Sequence, residues 1–109
     1  MIMVLKEIQK EVDEWVSQYK MGYWKPHDNL AHLTEELGEL AREINHRFGP
    51  KKKKDTEEDN EISDEIADII FTLVCLANSQ NIDLDLAFEK KMEKSYTRDK
   101  DRFEKKEIA

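Results

Sequence analysis

The stretch Glu61-Ile62-Ser63-Asp64-Glu65-Ile66-Ala67-Asp68-Ile69-Ile70-Phe71-Thr72-Leu73-Val74-Cys75-Leu76-Ala77-Asn78-Ser79 changes character halfway along. Its first half mixes acids with Ile and Ala at helical spacing, and its second half, Ile69 to Ala77, is apolar nearly all round. Only a helix packed on several sides carries such a second half, so a buried helix is expected over about Glu61–Ser79. A buried helix needs companions, and the flanking sequence supplies them. From Met1 to Lys20, the residues Val4, Leu5, Ile8, Val12, Trp15, Val16 and Tyr19 recur at three- and four-residue steps, which marks an amphipathic helix. Gly22 and Pro26 punctuate, and Asp28 or Asn29 is placed to cap a helix from about Leu30 to Phe48, which Gly49-Pro50 stops. Asn81 and Asp83 mark a turn and a cap before a last helix, from Leu84 to about Tyr96. The polar run Lys51–Asn60 contains no apolar residue and reads as a solvated loop. Nothing alternates like a strand. The expectation is an all-α four-helix bundle, residues 1–98, completed by oligomerisation and followed by a charged, exposed tail, residues 99–109.

Composition narrows the function. The chain has 109 residues, 18 of them Lys or Arg and 25 Asp or Glu, for a net charge of −7. One small domain leaves no room for a separate cofactor-binding domain. The acidic balance argues against non-specific nucleic-acid binding, which needs a basic surface to displace counterions. The single cysteine, Cys75, excludes an intrachain disulfide framework and a cysteine-based zinc site, and it suits a reducing compartment. No apolar run reaches membrane-spanning length and Met1–Ile8 has no signal-peptide core, so a soluble cytoplasmic protein without a membrane partner is expected.

The acids are not scattered evenly. Residues three apart share one side of a helix, so Glu36 and Glu39 are neighbours, and so are Glu65 and Asp68. The apolar face of the second helix reads as Leu33, Leu37, Leu40 and Ile44, with Glu36 at its border. In the third helix the line Glu61–Glu65–Asp68 continues into Thr72 and Cys75, on the part expected to be buried. Carboxylates at the entrance to a buried seam are costly unless something neutralises them. Two facing pairs would gather four carboxylates around one point, and all-oxygen ligation suits a hard cation, Mg²⁺ first and Mn²⁺ as a substitute. Glu35, Glu43 and Asp64 fall outside this set, on the surface or behind it.

With its context, Leu33-Thr34-Glu35-Glu36-Leu37-Gly38-Glu39-Leu40-Ala41 and, after a spacer of 25 residues from Glu39, Glu65-Ile66-Ala67-Asp68, the double motif resembles that of the MazG-like all-α nucleoside triphosphate pyrophosphohydrolases. The likeness extends from about Ile8 to Phe103 and is nearest to short single-domain members of Bacillus type. It implies Mg²⁺-dependent cleavage of a nucleotide between its α- and β-phosphates, giving a monophosphate and pyrophosphate. Glu36, Glu39, Glu65 and Asp68 match the metal-ligand positions of the family. Either Glu36 or Glu39 can orient and deprotonate the attacking water on spacing alone; the resemblance favours Glu36 as the catalytic residue. It also implies a homodimer or homotetramer and a role in nucleotide-pool housecleaning.

A triphosphate needs basic partners as well as metal. Lys91, Lys94 and Arg98 form one stripe on the last helix, where the family carries a phosphate-contacting segment; Ser95-Tyr96-Thr97 stands where many relatives have an Asn. The lysine run Lys51–Lys54 acts at most by drawing polyanions from a distance. Trp15 and Tyr19 read as core or subunit interface, whereas Tyr23 and Trp24, before Pro26, are candidates for stacking on a nucleobase. Thr72 is a pocket-wall candidate, and His46 stands where some pyrimidine-specific relatives carry Trp. His27 and His32 read as surface residues. Two other classes compete: a catalytically silent helical oligomerisation module, and a di-iron bundle through Glu43-x-x-His46, which would need a second such pair.

Overall fold

The computed structural model describes residues 4–50 and 61–107. Its helices are α1 (Leu5–Val16), α2 (Pro26–Phe48), α3 (Ile62–Ser79) and α4 (Leu84–Tyr96), and no strand occurs among the described residues. The loop expected at Lys51–Asn60, with its lysine run Lys51–Lys54, lies outside the described residues. α2 packs along α3, α1 packs on α3, and α4 packs on α1. No helix among the described residues is long and apolar enough to cross a membrane.

Two helix ends differ from expectation, each for a local reason. α1 stops at Val16 rather than Lys20; Gln18, Tyr19 and Gly22 then donate to the carbonyls of Trp15, Val16 and Tyr19 in tight three-residue turns. Gly22 takes φ +63°, a left-handed conformation that Gly adopts without steric penalty, and the chain reverses there. α2 starts at Pro26, not Leu30, with Lys25 at its N-cap position. Pro has no N–H to lose in the first turn and a φ already suited to it, so it outcompetes the capping that Asp28 or Asn29 offers. The Lys25 carbonyl accepts from Asp28 and Asn29 N–H at 2.9 and 3.0 Å.

The turn after α3 behaves as its residues require. Asn81 sits at φ 56°, and Asp83 Oδ1 accepts from Leu86 N–H at 3.1 Å to cap α4. Asp85 then reaches across to cap α1, accepting from Leu5 N–H at 2.9 Å. Below this, Gln9, Asn78 and Tyr23 knit α1, α3 and the turn together. Gln9 Nε2 donates to Asn78 Oδ1 at 2.9 Å and to the Ile82 carbonyl at 2.8 Å, while its Oε1 accepts from Leu84 N–H at 3.1 Å. Asn78 Nδ2 donates to the Gln9 carbonyl at 2.9 Å and to the Tyr23 hydroxyl at 3.0 Å, and that hydroxyl donates to Asp13 Oδ1 at 2.6 Å.

The core is smaller than the apolar pattern implies. Val12 and Val16 of α1 meet Val74 of α3, with Tyr23, Cys75 and Leu84 packed against them. The second half of α3 is therefore not covered all round: Ile70, Phe71 and Leu73 are 48%, 40% and 44% exposed. α2 departs further. Its inward residues are Asn29, Glu36 and Glu43, and of its expected apolar face Leu37 and Ile44 are exposed. Trp15 and Tyr19, expected in a core or interface, are about half-exposed in the single chain. The radius of gyration is 18.0 Å, against about 13 Å for a compact chain of this length. One copy leaves an apolar surface uncovered.

Candidate metal centre and adjoining cavity

Asn29, Glu36 and Glu43 are seven residues apart in turn, two helical turns each, so they form one line along α2. Glu65 and Thr72 repeat the spacing on α3, and both are buried. Where the lines meet, Glu36, Glu65 and Asp68 each present a carboxylate oxygen, all within 4.8 Å of one another. Glu36 and Glu65 are buried and Asp68 is exposed, so the group opens to solvent on one side. Glu39 is exposed, and its charge bears on both Glu36 and Glu65.

The electrostatics of the group are unfinished. Burial, then the charges of Glu39 and Asp68, push the Glu36 carboxyl above its ordinary range, with His32 opposing. Burial raises Glu65 too, followed by the charge and hydrogen bond of Glu39 and the charges of Asp68 and Glu36. Two unit charges 5 Å apart repel by roughly 3 kcal/mol at an effective dielectric of 20. Several such pairs outweigh what local hydrogen bonds return. Moreover, Glu36 Oε2 and Glu65 Oε2 are sealed from solvent without a hydrogen-bond partner among the described residues. Partnerless buried oxygens beside an open-sided carboxylate group fit a hard divalent cation, which takes oxygen ligands and cancels the repulsion.

His32 is not the surface residue its sequence context implies. Its Nε2 lies 3.0 Å from Glu36 Oε1, and its ring meets Trp24 edge-on, centroids 5.3 Å apart. The helical step of four residues puts it there, and the contact fixes Glu36 with its other oxygen turned to the centre. Glu43 is buried, which fits the second of the two places expected of it, behind the carboxylate set.

Beside the carboxylates lies a cavity of about 420 Å³, with Trp15, Tyr19, Tyr23, Trp24 and Phe71 among its walls. Thr72, one turn beyond Asp68, and His32, one turn before Glu36, belong to both cavity and centre. Tyr23, Trp24 and Thr72 are thus brought together; His46 is not in the lining. It lies on the far side of Glu36, ten residues or about 15 Å along α2. Lys91 and Lys94 are exposed on α4, while Arg98, expected in the same stripe, lies past the helix end at Tyr96; none of the three forms an ion pair with the carboxylates among the described residues, and Arg98 pairs with Asp99 at 3.2 Å. Asn29 reads in sequence only as a helix cap, yet it is 4% exposed and lines the cavity. Its position seven residues before Glu36 is the signal that marks it.

Known proteins resemble the chain over most of its length. Residues 25–103 match the family model described as the MazG nucleotide pyrophosphohydrolase domain. The protein YpjD of Bacillus subtilis (strain 168) is 55% identical over 103 residues, covering 94% of this chain and 93% of its own. A crystal structure of YpjD from Bacillus subtilis superposes with a TM-score of 0.75 at 52% identity, over 86% of this chain and 96% of that one. A second crystal structure, of a Bacillus-conserved MazG protein described as a nucleotide pyrophosphohydrolase, gives 0.74 at 46% identity, over 92% and 97%.

Proposed function

The chain belongs to the MazG nucleotide pyrophosphohydrolase family, and from that premise we propose that it hydrolyses a nucleoside or deoxynucleoside triphosphate between the α- and β-phosphates, releasing the monophosphate and pyrophosphate. The observation that carries this reading is the convergence of Glu36, Glu65 and Asp68 within 4.8 Å, with buried, partnerless oxygens on the first two. Glu36, Glu65, Asp68 and the neighbouring Glu39 would hold Mg²⁺, or Mn²⁺ in its place. When bound, such an ion supplies Lewis-acid stabilisation of the charge that develops on the phosphoryl oxygens.

The side chains do the rest. Glu36 orients the attacking water and accepts its proton, a role its contact with His32 suits. Tyr23, Trp24 and Thr72 offer the base a wall next to the chemistry, and His46 is assigned to the same subsite through assembly. Lys91, Lys94 and Arg98 contact phosphates when copies associate. The uncovered faces of α2 and α3 support a homodimer or a dimer of dimers, since Leu30, Leu37 and Ile44 form an exposed apolar line and Ile66, Ile70 and Leu73 a second. Nucleotide-pool housecleaning in the cytoplasm, with no nucleic-acid partner, is the corresponding role. The test is to offer purified protein with Mg²⁺ each NTP and dNTP singly and to score pyrophosphate against orthophosphate. Silence across the whole panel, modified nucleotides included, sinks the reading.

A further inference from the structure

One buried polar group of the cavity wall has no partner for its oxygen among the described residues. Tyr23 is committed to Asp13 and Asn78 through its hydroxyl. Thr72 spends its hydroxyl proton on the Asp68 carbonyl at 3.0 Å, and His32 Nε2 is engaged by Glu36. Asn29 differs. The residue is 4% exposed and its Oδ1 is sealed from solvent with no hydrogen-bond partner among the described residues. A buried amide oxygen left unmatched is destabilising, whereas Leu at the same place would pack at no such cost. A turn about χ2, a soft torsion, brings Oδ1 to the cavity that the residue lines, where it invites a flat ligand with an N–H on its edge. Trp15 stands 5.1 Å from Tyr19 and 5.7 Å from Phe71, centroid to centroid, and each of the three rings is at least 40% exposed. Those surfaces offer a heterocycle its stacking partners.

We propose that Asn29 reads the nucleobase of the substrate, its Oδ1 accepting an N–H or amino donor from the edge of a base stacked in this cavity. The inference rests on the pyrophosphohydrolase reading and names the residue that sets its base specificity. Glu36 lies two turns along the same helix, about 10 Å away, so a base held at Asn29 leaves its phosphates within reach of Glu36.

The experiment crosses a variant with an analogue. The best substrate of the triphosphate panel is compared, in wild type, Asn29→Leu and Asn29→Ala, with a counterpart whose edge donor is removed, by one methyl on a ring N–H or two on an amino group. Wild type should show KM about tenfold higher for the methylated nucleotide, the loss of one hydrogen bond to a buried acceptor. In both variants that discrimination should vanish, because KM for the unmodified nucleotide rises by the same roughly tenfold factor. Asn29→Leu should melt no lower than wild type, because it removes an unmatched polar atom. Variants that keep the wild-type discrimination, or an Asn29→Leu protein that no longer folds, overturn the assignment. A second readout separates this proposal from the reading beneath it. Nucleoside monophosphates titrated in EDTA should quench the fluorescence of Trp15 and Trp24, with the same tenfold gap in wild type only. If wild type hydrolyses nothing while that gap appears, the activity falls and Asn29 stands; hydrolysis with no gap in either assay has the opposite meaning.

Discussion

Two groups of polar side chains lie between the helices, and they are finished to different degrees. In the first, Gln9, Asn78 and Tyr23 join α1, α3 and the start of α4, and donors meet acceptors at 2.6–3.1 Å throughout. In the second, Asn29, Glu36 and Glu65 are more deeply buried, yet each keeps an oxygen without a partner among the described residues. The first group is closed by the chain itself and its effect is to hold the helices in register. The second is destabilising as it stands, and a buried group kept at that cost is best explained by something that binds there. Satisfaction, more than burial, separates a structural cluster from a functional one here.

The comparison breaks most sharply on the carboxylates. Glu65→Gln and Asp68→Ala should each lower kcat/KM by on the order of 10³-fold, the loss expected when charge stabilisation at a reacting phosphate is removed. Neither should lower the melting temperature of metal-free protein, since both relieve repulsion. Full activity in both variants would refute the metal assignment. Asn78→Ala should do the reverse. It removes three hydrogen bonds at about 1 kcal/mol each, so the protein should lose roughly 3 kcal/mol in denaturant titration while folded molecules keep their turnover.

Metal and pH sharpen the same contrast. Mg²⁺ at a hundredfold excess over its Kd should stabilise the fold by about 2.7 kcal/mol, and by far less in Glu65→Gln. Glu36 and Glu65 are raised in the folded state, so the folded protein binds more protons than the unfolded chain in that range. Their contribution to metal-free stability should therefore be full below the ordinary carboxylate pKa and be lost as pH rises through the raised values, read as the difference between wild type and Glu65→Gln. With Mg²⁺ present that decline should disappear or invert, because the ion takes the place of the protons. A metal-free difference that is flat across the carboxylate range would contradict the electrostatics described for this centre.

The helices are legible in sequence because their signals are local. A period of 3.6 places Val12 and Val16 on one face, and Asn81 and Asp83 make a turn whatever surrounds them. The carboxylate pairs are legible too, since three-residue spacing forces Glu65 and Asp68 together. Three features are not. Pro26 and Asp28 both signal a helix start, and only the backbone shows that the proline prevails. Leu33, Leu37, Leu40 and Ile44 look like a core face because apolar residues in water seek cover, but a chain that associates can direct that face outward. Asn29 reads only as a cap for the complementary reason: a polar line at seven-residue spacing reads as solvent surface until a second polar line is found packed on it.

Tyr23 belongs to both clusters, and so tests whether they are separable. Its hydroxyl is part of the closed network, while its ring walls the cavity beside Asn29. Tyr23→Phe keeps the ring and deletes the hydroxyl, so the expected stability loss is about 1 kcal/mol, one to two modest hydrogen bonds at partly exposed partners. KM for the nucleotide should change by less than about twofold. Burial first, and then the hydrogen bond to Asp13, push the Tyr23 phenol up to about 12 from its ordinary 10.0. A phenol raised in the folded state stabilises it fully below pH 10 and loses that contribution as pH climbs through about 12. Wild type should therefore show a falling stability limb across that window, and Tyr23→Phe a shallower one, with Tyr19 and Tyr96 titrating in both. A large rise in KM would mean that the hydroxyl positions the ring for ligand, and that the closed network helps to build the open one.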